Sequence, residues 1–269
     1  MHRYLPITFL AFSFAIGGCL SGPSSGEEGA SPNTLTEAEK ADGWELLWDG
    51  KTLDGWTRIV RGKCQPVPKI GWTIEDGALT IHSRKEKAFR DLTEGERAAW
   101  GGDIATVRKF RDFDLKFEFR LTDRANSGVK YYLDETQDGV ASPEYQVMHP
   151  GNGDFDRGTN GNRRVASLYD MIPAHADHLL KPTGEWNSGR IVGRGKTVQH
   201  WLNGEKVIEF VRGSPEYRAL VKASKFAKWG KSANNKPHPW GEIEEGRILL
   251  QDHHDCVSFR NLKIRVGKH

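Results

Sequence analysis

In Pro143-Glu144-Tyr145-Gln146-Val147-Met148-His149 a carboxylate and an amide stand two residues apart. In a strand, Glu144, Gln146 and Met148 face one way, and Tyr145, Val147 and His149 the other. Paired-carboxylate sugar hydrolysis with retention wants two carboxyl groups about 5 Å apart. Gln146 does not ionise, so this strand offers one base and one hydrogen-bonding amide. A solvated glutamate on an edge strand is the equally ordinary reading. Gln251-Asp252-His253-His254-Asp255 is the densest polar cluster. It suits a general acid or base, or a metal if a third ligand sets the geometry. Asn126-Ser127-Gly128 enters a run in which Lys130 and Tyr132 share a face; the favoured reading of Asn-Ser-Gly is a turn. Asp134-Glu135 and Asp138-Gly139 resemble a calcium loop only weakly. The chain has no Gly-x-Ser-x-Gly elbow, His-Glu-x-x-His, P-loop or dinucleotide fingerprint, which disfavours hydride and phosphoryl transfer.

The elements that must position these groups read as strands. Asp114 to Leu121 alternates strictly, with Leu115, Phe117, Phe119 and Leu121 on one face. Trp72 to Ile74 and Leu79 to Ile81 flank Glu75-Asp76-Gly77, a hairpin signal. Asn203-Gly204, between Val198–Leu202 and Glu205–Phe210, marks the clearest hairpin. A phase slip near Arg260-Asn261 predicts a bulge. One short helix is expected near residues 214–227: Ser214 can cap it, Pro215 suits its first turn, and Tyr217, Leu220 and Val221 follow at helical spacing.

The chain has 269 residues, with 39 Lys+Arg, 36 Asp+Glu and a net charge of +3. That is an ordinary globular balance, too weakly basic to imply a nucleic-acid partner. Residues 1–18 read as a secretory signal: Arg3, then a mostly apolar run from Leu5 to Ile16 that is too short to span a bilayer. Small residues then lead to Cys19, a lipobox-like end that predicts lipidation there and membrane attachment through acyl chains. The expected location is the bacterial cell envelope, anchored at the outer membrane. Leu20 to Asp42 reads as a flexible linker, and one folded domain fills 43–269. Cys64 and Cys256 are left as candidates for a disulfide.

Eight segments in order resemble a known family: Gly43 to Trp56 (GWELLWDGKTLDGW), Gly101-Gly102-Asp103-Ile104, Phe113-Asp114-Leu115 with Glu118-Phe119-Arg120, Asn126-Ser127-Gly128, Glu144-Tyr145-Gln146, Gly184-Glu185-Trp186-Asn187, Trp201-Leu202-Asn203-Gly204, and Leu250-Gln251-Asp252-His253 with Phe259-Arg260-Asn261-Leu262. Their order and spacing look like the 3-keto-disaccharide hydrolase family. The resemblance implies an all-β, concanavalin-like jelly roll of two antiparallel sheets. It also implies a carbohydrate substrate already oxidised to a ketone at C3. Such a ketone acidifies the C2 proton, so one base suffices to start elimination of the C1 substituent. On that basis Glu144 is the candidate base and His253 its acid or base partner. Asn126, Lys130, Gln146, Gln251, Arg120 and Arg260 are candidates to orient hydroxyls or stabilise the enolate, and Tyr169 and Trp186 to stack on sugar rings. The chain departs from the family's usual pattern at Tyr132, where Arg is common, and at His254, where Gly is. No cofactor is required by this reading, and a divalent metal remains an option. Two other readings stay open: a non-catalytic carbohydrate-binding module, and an endo-glucanase drawing a second carboxylate from loop residues such as Asp154 or Asp156.

Overall fold

The alternating run becomes the central strand of a sheet, with its apolar face buried and its polar face turned away. The computed structural model describes residues 31–60, 63–133, 142–228 and 239–267. In chain order the elements are α1 (Glu37–Ala41), β1 (Trp44–Leu46), β2 (Trp56–Val60), β3 (Lys63–Gln65), β4 (Trp72–Glu75), β5 (Ala78–Ile81), α2 (Lys87–Arg90), α3 (Glu94–Ala99), β6 (Ile104–Thr106), β7 (Phe113–Leu121), β8 (Asn126–Leu133), β9 (Glu144–Met148), β10 (Trp186–Arg194), β11 (Thr197–Leu202), β12 (Glu205–Val211), α4 (Pro215–Ala223), β13 (Arg247–Leu250) and β14 (Val257–Val266). One antiparallel sheet runs β12-β11-β10-β7-β14-β5-β4, with β1 added beside β14; the other runs β3-β2-β6-β13-β8-β9.

The inner faces of the two sheets form the core. Phe117 and Phe119 of β7 meet Tyr131 of β8 and Tyr145 of β9 in one buried cluster, with the Phe117 and Tyr145 rings edge-on at 5.2 Å. This is the jelly-roll β-sandwich that the resemblance implies. Both predicted hairpins form: Asp76 and Gly77 turn β4 into β5, and Asn203 and Gly204 turn β11 into β12, all with positive φ. The predicted bulge is a register shift between Arg260 and Lys263, with Asn261 at φ 52°. The inserted helix is α4, capped by Ser214, which accepts from the Tyr217 amide; a 3-10 turn over Lys225–Lys228 comes next.

One expectation is corrected, and the pairing of the two candidate cysteines is answered. The linker reading of Leu20 to Asp42 fails over its described part. Thr36 and Glu39 form a capping box that starts α1. Asn33 and Asn261 exchange hydrogen bonds of 2.6 and 2.8 Å, docking this segment on the bulge. No disulfide joins Cys64 and Cys256: Cys64 lies exposed on β3, while Cys256 precedes β14 in the other sheet. The signal segment, Cys19 and the weak calcium loop at 134–139 lie outside the described residues.

His200 of β11 ties the two sheets together. It is fully buried. One ring nitrogen bonds the Tyr131 hydroxyl at 2.7 Å and the other the Ala166 carbonyl at 2.9 Å. The carbonyl requires Nδ1–H as donor, so Nε2 accepts from the hydroxyl and the ring is neutral. Burial pushes its pKa down from 6.5 to about 4. The unfolded chain therefore takes up this proton first as pH falls. His200 should contribute full stability above pH 6.5 and lose about 3 kcal/mol of it on acidification to about pH 4. Urea unfolding across that window, compared with His200→Gln, reads this directly; identical pH slopes would show that His200 is not responsible.

Candidate active site

The candidate site lies on the outer face of the six-stranded sheet, and antiparallel register builds it. Pairing of β8 with β9 sets Lys130 opposite Glu144, Gly128 opposite Gln146 and Asn126 opposite Met148. On the other flank, Leu249 of β13 lies opposite Lys130 and also opposite Ala105 of β6. Two residues further along this antiparallel pair, Gln251 and Asp103 therefore fall on the row of Gly128 and Gln146. The Gln251 amide donates to the Gly128 carbonyl at 3.0 Å, which keeps it there. Beyond β9 the chain returns along its free edge: the Gln146 amide donates to Ser167, and the amides of Ala166 and Tyr169 donate to Gln146 and Glu144. A sheet face that would ordinarily be solvated thus carries buried polar side chains. Asn126, Lys130, Glu144 and Gln146 are only 1–6 % exposed.

Gly128 shapes the centre. A Cβ there would lie 2.2 Å from the Glu144 Oε1, so the carboxyl group occupies the space a side chain would fill. The Lys130 ammonium stands 3.9 Å from its other oxygen. Burial raises the Glu144 pKa; Lys130 and Lys225 oppose this, and Asp103 adds to it. Asp103 is likewise raised, chiefly by desolvation, against the pull of Lys130. Two carboxyl groups thus compete for one buried ammonium; Asp103 favours retention of a proton on Glu144, and Asp252 favours one on Asp103. Gln146 Nε2 donates to Asn126 Oδ1 at 2.9 Å, while its Oε1 is buried with no partner. A buried acceptor left open in this way asks for a donor from a ligand or a water.

Within the Gln251-to-Asp255 cluster the acidic residues are engaged in support, and His253 is exposed. Asp252 is buried. Its oxygens accept from the amides of Gly102 and His254 and from Arg84, and its own amide donates to Asp103 Oδ1 at 2.9 Å. It laces the segment before β6 to the segment after β13. That lacing presents Asp103, and it holds His253 exposed between Gln251 and the clamped His254 amide. His253 acts electrostatically on both Asp103 and Glu144, pulling the pKa of each downward. Asp255 pairs with Lys85. Among the described residues no group of three His, Cys, Asp or Glu side chains could hold a metal ion. Tyr169 is half-buried beside Glu144, its hydroxyl pushed up to about 12 by burial.

The profile of the 3-keto-alpha-glucoside-1,2-lyase-like domain matches residues 43–265. The chain belongs to this family. Within it, the chain is 35% identical to the 3-keto-disaccharide hydrolase of Bacteroides thetaiotaomicron over 252 residues, 88% of this chain and 83% of that one. Two crystal structures of candidate glycosyl hydrolases from Parabacteroides distasonis are similar in fold. One has a TM-score of 0.69 and 27% identity, covering 88% of this chain and 100% of that one; the other has 0.57 and 26%, covering 83% and 99%.

Against this 3-keto-alpha-glucoside-1,2-lyase-like fold, the sequence-predicted residues separate into two groups. Glu144, Gln146, Asn126, Lys130, Gln251, His253 and Tyr169 come together. Arg120, Trp186 and Arg260 do not. Phe117, Phe119 and Leu121 of β7 face the core, so Glu118 and Arg120 face away from it. Trp186 of β10 lies opposite Arg120 and Arg260 lies opposite Glu118. The Trp186 ring is covered by both guanidinium groups, at 4.8 and 4.2 Å. All three therefore sit on the outer face of the eight-stranded sheet, with the whole sandwich between them and Glu144. The loop acids of the glucanase reading are engaged elsewhere, Asp154 with Arg157 and Asp156 with Arg164. Sequence reasoning places neither Asp103 nor Lys225 in the site. Asp103 lies within one of the resembling segments, Gly101-Gly102-Asp103-Ile104; Lys225 has no signal beyond its position near the end of the predicted helix.

Proposed function

We propose that this protein cleaves 3-keto-glycosides, with Glu144 removing the C2 proton. Its family membership and its relatives make it a glycoside-cleaving enzyme. The observation that carries the finer reading is the Glu144 carboxyl itself: buried, raised in pKa, and followed two residues later by an amide whose oxygen lacks a donor. A carboxylate whose pKa is tuned upward is a stronger base than an ordinary one. Asp103 strengthens it by like charge, and Lys130 keeps the pair compatible with burial. As the C2–H bond breaks toward Glu144, its electron pair forms a C2=C3 enolate with the charge on the C3 oxygen; the collapse of this enolate restores the ketone, forms the C1=C2 bond and breaks the C1–O bond. The leaving oxygen takes a proton from His253, which stands exposed where an aglycone must emerge. Water then adds its oxygen to C1 and a proton to C2, giving the free 3-keto sugar. Gln146 Oε1 accepts from a sugar hydroxyl, and Tyr169 lies beside the ring.

The test is an NMR time course in deuterated water, with a 3-keto-disaccharide in one sample and its unoxidised parent in the other. The expected result is cleavage of the keto sugar alone, with deuterium entering at C2. Cleavage of the parent would restore the glucanase reading and make Asp103 the second carboxylate. Ligand line-broadening without cleavage of either would leave a binding module.

A further inference from the structure

The inserted helix α4 belongs to neither sheet; its buried Tyr217 stacks on Phe210 of β12, and the turn at its C-terminal end reaches the site. The Ser224 hydroxyl accepts from the Phe226 amide at 3.1 Å, closing the turn after α4. Phe226, 3 % exposed, stacks on Trp240 with ring centres 4.3 Å apart. The Lys225 amide donates to Asp170 at 2.8 Å, and Arg163 locks that carboxylate at 2.6 Å. The turn is therefore bolted to the core on one side and to the loop that edges β9 on the other. Between the bolts, the Lys225 ammonium stands 4.1 Å above the Tyr169 ring. Tyr169 is the residue whose amide binds the Glu144 carbonyl. Lys225 is thus carried to the site from a part of the chain far from the sheet.

We propose that Lys225 donates a hydrogen bond to the C3 ketone oxygen of the substrate and holds the negative charge that collects there as Glu144 takes the C2 proton. This rests on the function proposed above. The reaction needs a base and, beside it, a cation that is not spent on the base. Lys130 is spent in that way: it faces Glu144 at 3.9 Å and acts on Asp103. Among the described residues no carboxylate lies within ion-pair distance of the Lys225 ammonium. It feels Glu144 of β9, Lys130 of β8, and Asp170 and Arg163 of the edging loop, and it rests on Tyr169. Burial and the two like charges lower its pKa despite the two carboxylates. A partly desolvated ammonium is a better donor to a forming enolate than a fully hydrated one. An unoxidised glucoside has a hydroxyl at C3 that never gathers this charge. Lys225 therefore adds to the preference for keto sugars in the transition state, without strengthening ground-state binding to the same extent.

The experiment compares wild type, Lys225→Met and Lys225→Arg on a 3-keto-disaccharide, with melting temperature as the folding control. The turn is held by the Lys225 backbone amide rather than its side chain, and no ion pair of the described residues depends on the ammonium, so both variants should fold. Loss of one donor to a developing oxyanion costs about 10²–10³-fold at an enclosed site. At this partly open one Lys225→Met should lower kcat at least about tenfold and change KM far less. Lys225→Arg should retain most of kcat and lose the alkaline fall that the titrating lysine gives wild type, because guanidinium stays protonated. Wild-type kcat in Lys225→Met, a loss confined to KM, or an unchanged alkaline limb in Lys225→Arg would overturn the assignment. Failure of wild type to cleave the keto sugar or to exchange its C2 proton would instead overturn the functional reading, and this inference with it.

Discussion

Glu144→Gln should lower turnover of a 3-keto-disaccharide by about 10³-fold while leaving the protein as stable as wild type or more so. The activity loss follows from removing a positioned general base, worth about 10²–10⁴-fold. The stability result follows from the sign of the pKa shift. Burial raises the folded-state value of Glu144 above its ordinary one. Such a carboxyl holds its proton longer in the folded chain, so stability falls as pH rises from the unfolded pKa through the folded one. Above the unfolded pKa this raised value is a net cost to the fold, and an isosteric amide removes it. Lys130 is not stranded by the change, because Asp103 still acts on it. Breaking a purely structural buried ion pair would give the opposite result, a loss of about 3–5 kcal/mol. Paired measurements of kcat and melting temperature at pH 7 separate the two. A large drop in melting temperature with turnover preserved would make Glu144–Lys130 a structural pair. Retained binding with lost turnover would exclude a module that only binds sugar.

How far the site can be read in the sequence depends on which geometric fact each residue needs. Glu144 and Gln146 need only parity along one strand, and period two supplies it. The Asn203-Gly204 turn and the Ser214-Pro215 helix start are equally local, and both form. Arg120, Trp186 and Arg260 show the limit. Alternation says that Arg120 points away from the core, but a sandwich has two outer faces and parity along a strand does not distinguish them. Their chemistry suits a sugar, and that alone draws them toward the site on a sequence reading. Asp103 needs still more: the order β6-β13-β8-β9 brings it onto the row of Gly128 and Gln146, and that order is a property of the whole topology. The short helices α1 and α3 escape the sequence for another reason. Both begin with a capping box, Thr36 with Glu39 and Thr93 with Glu96, which is a legible signal. At five and six residues, however, they are too short to show a helical period.

Gly128 reads as turn chemistry in the sequence, and its place opposite Gln146 gives it a different role with a sharp consequence. Gly128→Ala should lower kcat by about 10²-fold, the cost of displacing a catalytic group by about 1 Å. The backbone does not oppose the change. Gly128 sits within β8 and, unlike the turn glycines, has no positive φ. Replacing glycine where the backbone is compatible ordinarily stabilises a protein slightly, by about 0.4–1 kcal/mol, through the unfolded state. Here the added Cβ would meet Glu144 Oε1 at 2.2 Å, its Cδ at 2.8 Å and its Cγ at 2.9 Å, so the side chain must swing out of its position over the strand. Because the damage passes through one carboxyl group, the effects of the two sites should not multiply. Added to Glu144→Gln, Gly128→Ala should cost no further turnover, although each alone costs much. A double variant whose losses multiply would mean that Gly128 acts on the substrate directly, through space the sugar itself occupies. The cycle therefore distinguishes a glycine kept for the base from one kept for the ligand.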